Sequence, residues 1–201
     1  MKLFLGLLFS VFSGVPPSAQ AAVIPPTPVP STVSVPFYSQ FKDITSTKWQ
    51  KVGCGIASLA MVIDYYKPAV PVNTLLTEAV GLGAYSNAGW TYAGLIATSK
   101  KHGMQGIAYD LSSSDMKSAY AQFSKKLDGG PVIASVHYKF DPKSTVPHLV
   151  VINKIKDGVV YYNDPAAKNG GKTISVTDFQ KAWKKRYIVI RPETVSKLAL
   201  K

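Results

Sequence analysis

Cysteine is nearly missing from this chain. Cys54 is the only one in 201 residues, so no internal disulfide can form. Acidic residues are scarce too, 11 against 23 lysines and arginines, for a formal net charge of +12. Only three histidines are present, His102, His137 and His148, and no HExxH-like ligand cluster accompanies them, so the sequence calls for no metal or cofactor. A run of about 20 apolar residues, the length of a membrane-crossing helix, is absent as well, which excludes a transporter. Gly81 to Ala84 has no GK[ST] behind it, so it reads as a flexible loop at a rim and not as a phosphate cradle.

What is present suits one globular core, with 46% hydrophobic and 11% aromatic residues. Residues 1–21 read as a signal peptide. Lys2 gives a positive start, Leu3 to Phe12 a short apolar run, and Ala19-Gln20-Ala21 a small-residue cleavage site. Export is therefore expected, to periplasm or extracellular space. Residues 22–34 carry Pro25, Pro26, Pro28 and Pro30 and read as a linker. A single domain is expected over 35–192, with a tail at 193–201. Losing residues 1–21 removes Lys2 and no acid, leaving a charge of +11. Such a chain attracts anionic partners: envelope polymers, lipid head groups or acidic peptides. Its basic residues are scattered in patches such as Lys181, Lys184, Lys185 and Arg186, so nucleic acid is not the expected partner. In an oxidising compartment cysteines usually pair, and an unpaired one asks for a chemical explanation.

Three helices are legible. Cys54 to Tyr66 is apolar nearly all round, with Asp64 its only charge, as in a helix buried within a domain. Met116, Ala119, Tyr120, Phe123 and Leu127 recur at helical spacing behind capping candidates Ser112 to Asp115, and Gly129-Gly130 ends that run. Phe179, Ala182 and Trp183 repeat the spacing behind Asp178. The β-branched runs Val132–Tyr138, Leu149–Ile155, Val159–Tyr162 and Tyr187–Ile190 read as strands. A helix followed by an antiparallel sheet predicts an α+β fold.

A thiol becomes nucleophilic as its thiolate, which a helix N-terminus stabilises, and Cys54 has that placement. It also needs a base. His102 sits in a polar, turn-like stretch and reads as a surface residue. His137 lies inside a strand, either as a satisfied core histidine or facing a site. His148 opens a strand after Pro147 and is the preferred base. An orienting group for its ring depends on the hairpin that follows. A two-residue Asp157-Gly158 loop puts Asp164 opposite Val151, on the face away from His148. A three-residue loop, Lys156 to Gly158, puts it opposite Val150, on the same face. Glycine at the third loop position favours the second case.

These residues resemble the papain-like cysteine peptidases of the bacteriocin-processing, double-glycine-leader type, in a stand-alone exported form. The likeness rests on Val35 to Gln40, the Gly53-Cys54-Gly55 helix start with Ser58 to Met61, Gly130 to Ile133, Pro147 to Val151, Asn163-Asp164-Pro165, and the pair Phe179 and Trp183. It implies Cys54 as nucleophile, His148 as general base and acid, and Asp164 as orienter. It also implies an upstream glutamine at the oxyanion, Gln40 or alternatively Gln50, and a peptide or protein substrate. Two other functions stay open: thiol chemistry on cell-wall peptides or in transamidation, and a silent basic module that binds peptides or envelope polymers. Asp164 also reads as a plain turn former.

Overall fold

Residues 34–193 are described by a computed structural model. The expected signal peptide, nearly all of the expected linker and the tail beyond Glu193 lie outside the described residues. Helix α1 spans Thr47–Gln50. Helix α2, Cys54–Tyr66, has the bounds its sequence predicts, and every residue from Gly55 to Ile63 is buried. Helices α3 (Val72–Gly81) and α4 (Tyr92–Lys100) follow, separated by the short strands β1 (Tyr85–Ser86) and β2 (Gly89–Trp90). Then come β3 (Met104–Asp110), α5 (Met116–Leu127), β4 (Val132–His137) and β5 (Pro147–Lys156). The last elements of the described residues are β6 (Val159–Asn163), β7 (Lys172–Ser175), α6 (Val176–Ala182) and β8 (Trp183–Pro192). Among the described residues no helix is long and apolar enough to cross a membrane.

Strands β3 to β8 form one antiparallel sheet in the order β3-β8-β4-β5-β6-β7. Its central strands are apolar on both faces because both are covered. Ile133, Leu149, Val151, Ile188 and Ile190 face α2, α3 and α4, whereas Val132, Ala134, Val150, Ile152 and Tyr187 pack with Phe123 of α5 and Phe179 of α6. The caps are local. Asp115 accepts from the Ser118 N–H at the head of α5, as expected. At α6 the cap is Ser175, which accepts from Asp178 N–H, so Asp178 lies inside the helix it was expected to precede.

Two expectations change. Gly81 to Ala84 is a helix terminator and not a flexible rim: Gly83 N–H donates to Val80 O, Ala84 N–H donates to Ala79 O, and Gly83 has φ +65°. That is the paired bonding of a glycine-stopped helix. The β5–β6 loop is the two-residue one, Lys156 pairing with Val159, with Asp157 (φ 49°) and Gly158 (φ 74°) both left-handed. Asp-Gly suits this tight turn, whose twist matches its strands. Yet Asp164 does not fall on the wrong face. The register shifts between Ile152 and Lys154, so that Ile152 pairs with Tyr162 and Val151 with Asn163. Asn153 is one extra residue, a β-bulge, and it brings Asp164 opposite Val150.

Candidate active site

Cys54 begins α2 as a half-buried free thiol, with Gly53 as the helix cap. Both flanking glycines are required by packing. A Cβ on Gly53 would collide with Ile44 and lie 3.0 Å from the Trp49 carbonyl oxygen and 3.1 Å from Gln40 Cβ. One on Gly55 would enter the Trp90 ring, at 2.7 and 2.8 Å. The indole Nε1 of Trp90 in turn donates to the Val52 carbonyl at 2.6 Å. The segment before the thiol is thus held from two sides. The free N–H groups of a 13-residue helix then lie at the sulfur's end, where they favour negative charge.

His148 stands at the start of β5 and is 4% exposed. Its Nε2 lies 2.6 Å from Asp164 Oδ1. A carboxylate only accepts, so Nε2 carries the proton and Nδ1 is the nitrogen left for the thiol. Tyr138 packs edge-on against the ring, 5.3 Å between centroids. Burial works against a charged ring here. The hydrogen bond with Asp164 and the facing Cys54 outweigh it and raise the pKa from 6.5 to about 9. Asp164 is itself fixed, because the same Oδ1 accepts from Ala166 N–H at 2.8 Å. It is a turn former and the partner of His148 together. Asn163 beside it ties down the opening of the domain, donating to the Val35 and Pro36 carbonyls and accepting from Gly171 N–H.

Gln40 is 4% exposed and lines the same cleft as Cys54 and His148. Its backbone N–H donates to the Pro165 carbonyl and its Nε2 to the Gln50 carbonyl, at 2.9 and 2.7 Å. Nε2 keeps a second N–H, and among the described residues Oε1 has no partner. The long span from Gln40 to Cys54 folds back through a turn at Ser39–Asp43 and through α1, which brings Gln40 against Gly53. Gln50 is committed elsewhere: its Nε2 donates to the Ile44 carbonyl at 2.8 Å. His102 is no free surface residue, since its Nε2 pairs with Glu78 Oε2 at 2.7 Å. His137 is satisfied, its Nδ1 lying 2.6 Å from the Ser144 carbonyl oxygen. Among the described residues no group of three or more His, Cys, Asp or Glu is placed to hold a metal ion.

A family model described as the Peptidase_C39 like family matches residues 32–191. The chain belongs to this family. With it comes the chemistry of a cysteine-type peptidase, for which this domain carries one thiol. Three solved structures share the fold. A double-glycine-motif protease from an AMS/PCAT transporter, solved with the leader peptide, is 23% identical, with a TM-score of 0.56 over 80% of this chain and 94% of that one. A protein from Bacillus anthracis described as C39-like peptidase is 19% identical, with a TM-score of 0.58 over 81% and 97%. The peptidase domain of Streptococcus ComA, a bifunctional ABC transporter of a quorum-sensing pathway, is 21% identical, with a TM-score of 0.56 over 71% and 93%. Among curated proteins none matches. The fold they share with this chain is the papain-like one, a helix headed by cysteine packed on an antiparallel sheet.

The cleft of this C39-like domain measures about 740 Å³. One wall is aromatic: Tyr85 and Trp90 line it with ring centroids 5.0 Å apart, and Trp49 packs on both, at 5.1 and 5.7 Å. Trp90 and Tyr138 both line the cleft, although aromatic residues serve more often in core or rim packing. The sequence signal beside Trp90 is the glycine after the cysteine, since the Trp90 ring lies where a Cβ at position 55 would be.

Proposed function

We propose that this chain is an exported peptidase that hydrolyses peptide bonds with Cys54 as nucleophile, His148 as base and acid, and Asp164 as orienter. The observation that carries the reading is the 2.6 Å bond between His148 Nε2 and Asp164 Oδ1, behind a free thiol that heads a helix in the same cleft. In the reaction, Nδ1 takes the thiol proton and the sulfur attacks the amide carbonyl carbon. The carbonyl oxygen becomes an anion that accepts from the Cys54 backbone N–H and the free Nε2–H of Gln40. His148 then gives its proton to the departing amine. Water, deprotonated by His148, attacks the thioester, and Cys54 leaves as the thiolate. A neighbour of the same fold solved with a leader peptide supports a peptide substrate. Export rests on the pattern of residues 1–21.

Hydrolysis of a fluorogenic peptide pool by the purified protein, beside Cys54→Ala and His148→Ala, tests the chemistry. Turnover is expected from the parent protein alone, and equal turnover by Cys54→Ala would sink the reading. For export, the N-terminus of protein recovered outside the cytoplasm is expected to start near Ala22.

A further inference from the structure

We propose that the cleft contains a carboxylate-accepting subsite built on Lys184 and Arg186, which makes carboxylate-bearing peptides the favoured substrates. The proposal rests on the peptidase reading for its use in turnover, but its geometry stands apart from the Cys54, His148 and Asp164 group.

Strand β8 does not run regularly past the site. Ser135 of β4 pairs with Arg186, but the next residue, Val136, pairs with Trp183, so Lys184 and Lys185 form a bulge. Bulges of this kind re-aim side chains beside functional sites. At its centre Lys185 has φ +56°, a left-handed conformation unfavourable for a lysine. What holds it there is visible: its Nζ donates to the Ser112 and Ser114 carbonyls, and its own carbonyl accepts from Leu111 N–H. The two lysines of the bulge are thereby separated. Lys185 turns to the loop before α5, and Lys184 lines the cleft.

Arg186 lines the cleft next to it, held by Asp110 through a single bond from Nε at 2.8 Å. That bond orients the guanidinium and leaves its two terminal nitrogens available to another acceptor. Two hydroxyls, of Ser135 and Tyr92, line the same region, and Lys51 adds a third cation to the lining. Among the described residues that line the cleft, none is Asp or Glu. An ammonium, a guanidinium fork and neutral hydroxyl donors with no lining carboxylate make a site for an anionic oxygen pair. On a peptide that group is either an acidic side chain or the chain's own C-terminus.

The experiment uses short peptides of one neutral frame with a single Glu or Gln placed at successive positions, each made with a free or an amidated C-terminus. Cleavage by the full chain and binding to its Cys54→Ala form are both measured. One placement of the carboxylate should raise kcat/KM and affinity about tenfold over its neutral counterpart, the effect of one charged hydrogen-bonded contact. A gain that follows Glu identifies a side-chain carboxylate, and a gain that follows the free terminus identifies the chain end. Lys184→Glu should reverse the preference toward a Lys-bearing peptide, a gain that misfolding cannot produce. Equal handling of charged and neutral peptides would overturn the subsite while leaving hydrolysis of the neutral frame intact. Preferential binding of carboxylate peptides without any cleavage would keep the subsite and sink the peptidase reading.

Discussion

Asp164 accepts at one oxygen from both Ala166 N–H and His148 Nε2, so the imidazole is oriented by a group that its own turn immobilises. Asp164→Asn removes the charge at nearly constant shape. It should lower kcat by about 10²–10⁴-fold, the range of a positioned acid–base group. Its pH profile adds a readout that simple misfolding would not give. His148 must be protonated to release the amine, and with Asp164 in place its pKa stands at about 9, so parent activity should persist through neutrality and fall above about pH 9. Loss of the carboxylate removes a cause that raises this pKa, so the alkaline limb should move down, toward the ordinary 6.5. A limb that stays put in Asp164→Asn would show that the pair does not set the titration. Gln40→Ala should cost about 10²–10³-fold in kcat, as the loss of one oxyanion donor does. Gln50→Ala serves as the comparison, since its amide is bound to the Ile44 carbonyl. At this scale the site was largely legible. One cysteine and three histidines leave few combinations, and Cys54 heads a helix while His148 stands at the start of a strand. Gln40 was less so, because its nearness to Cys54 is made by a folded-back loop and not by spacing.

Elements differ in how much of them the sequence discloses. α2 and α5 were readable to their ends: α2 is an almost unbroken apolar run that starts after Gly53, and in α5 the apolar residues recur at helical spacing behind the Asp115 cap. α4 carries no such signal, since two of its three buried residues are Thr98 and Ser99, whose hydroxyls bond back into their own helix. β3 is an edge strand with only Met104 fully buried, so its alternation is faint. In α3, Val72, Leu75, Leu76 and Ala79 do keep helical spacing, a pattern that was present and unread. The β5–β6 hairpin is the instructive case. Turn chemistry and site geometry demanded different registers, and a bulge at Asn153 reconciles them, which no loop rule discloses. Asn153 is the residue in excess, and its Oδ1 lacks a partner among the described residues. Deleting it should regularise β5 while leaving Val151 opposite Asn163 and Asp164 beside His148. The deletion variant should therefore keep the alkaline limb near pH 9, and a limb moved down as in Asp164→Asn would show that the bulge itself aims the carboxylate. Gly158→Ala probes the turn alone. Nothing lies within 4 Å of the added Cβ, so the cost is purely the left-handed backbone, about 1–2 kcal/mol in urea unfolding.

Across the whole molecule, one sheet separates two apolar clusters, and the reactive groups meet where the head of α2 reaches the start of β5. Helices on both faces make the central strands continuous in apolar residues, so the sheet itself was evident while its six-strand order was not. Charge is the other property of this scale. A net +12 acts on a substrate before any contact is made, and its reach depends on salt. Raising ionic strength from about 0.01 to about 0.15 M shortens the screening length from about 30 to about 8 Å. For an acidic protein substrate, kcat/KM should then fall about tenfold, within the range of electrostatic steering. The loss should sit in KM with kcat unchanged, and a neutral peptide should show little of it. A matching loss on the neutral peptide would mean that salt disturbs the site and not the encounter. Lys184→Gln separates the two contributions. It removes one charge from the total, so the salt slope should change little, whereas the preference for a carboxylate should drop at every salt concentration because that contact is short and shielded within the cleft. A slope that collapses with this one residue would place the whole electrostatic effect at the subsite and none in the field of the chain.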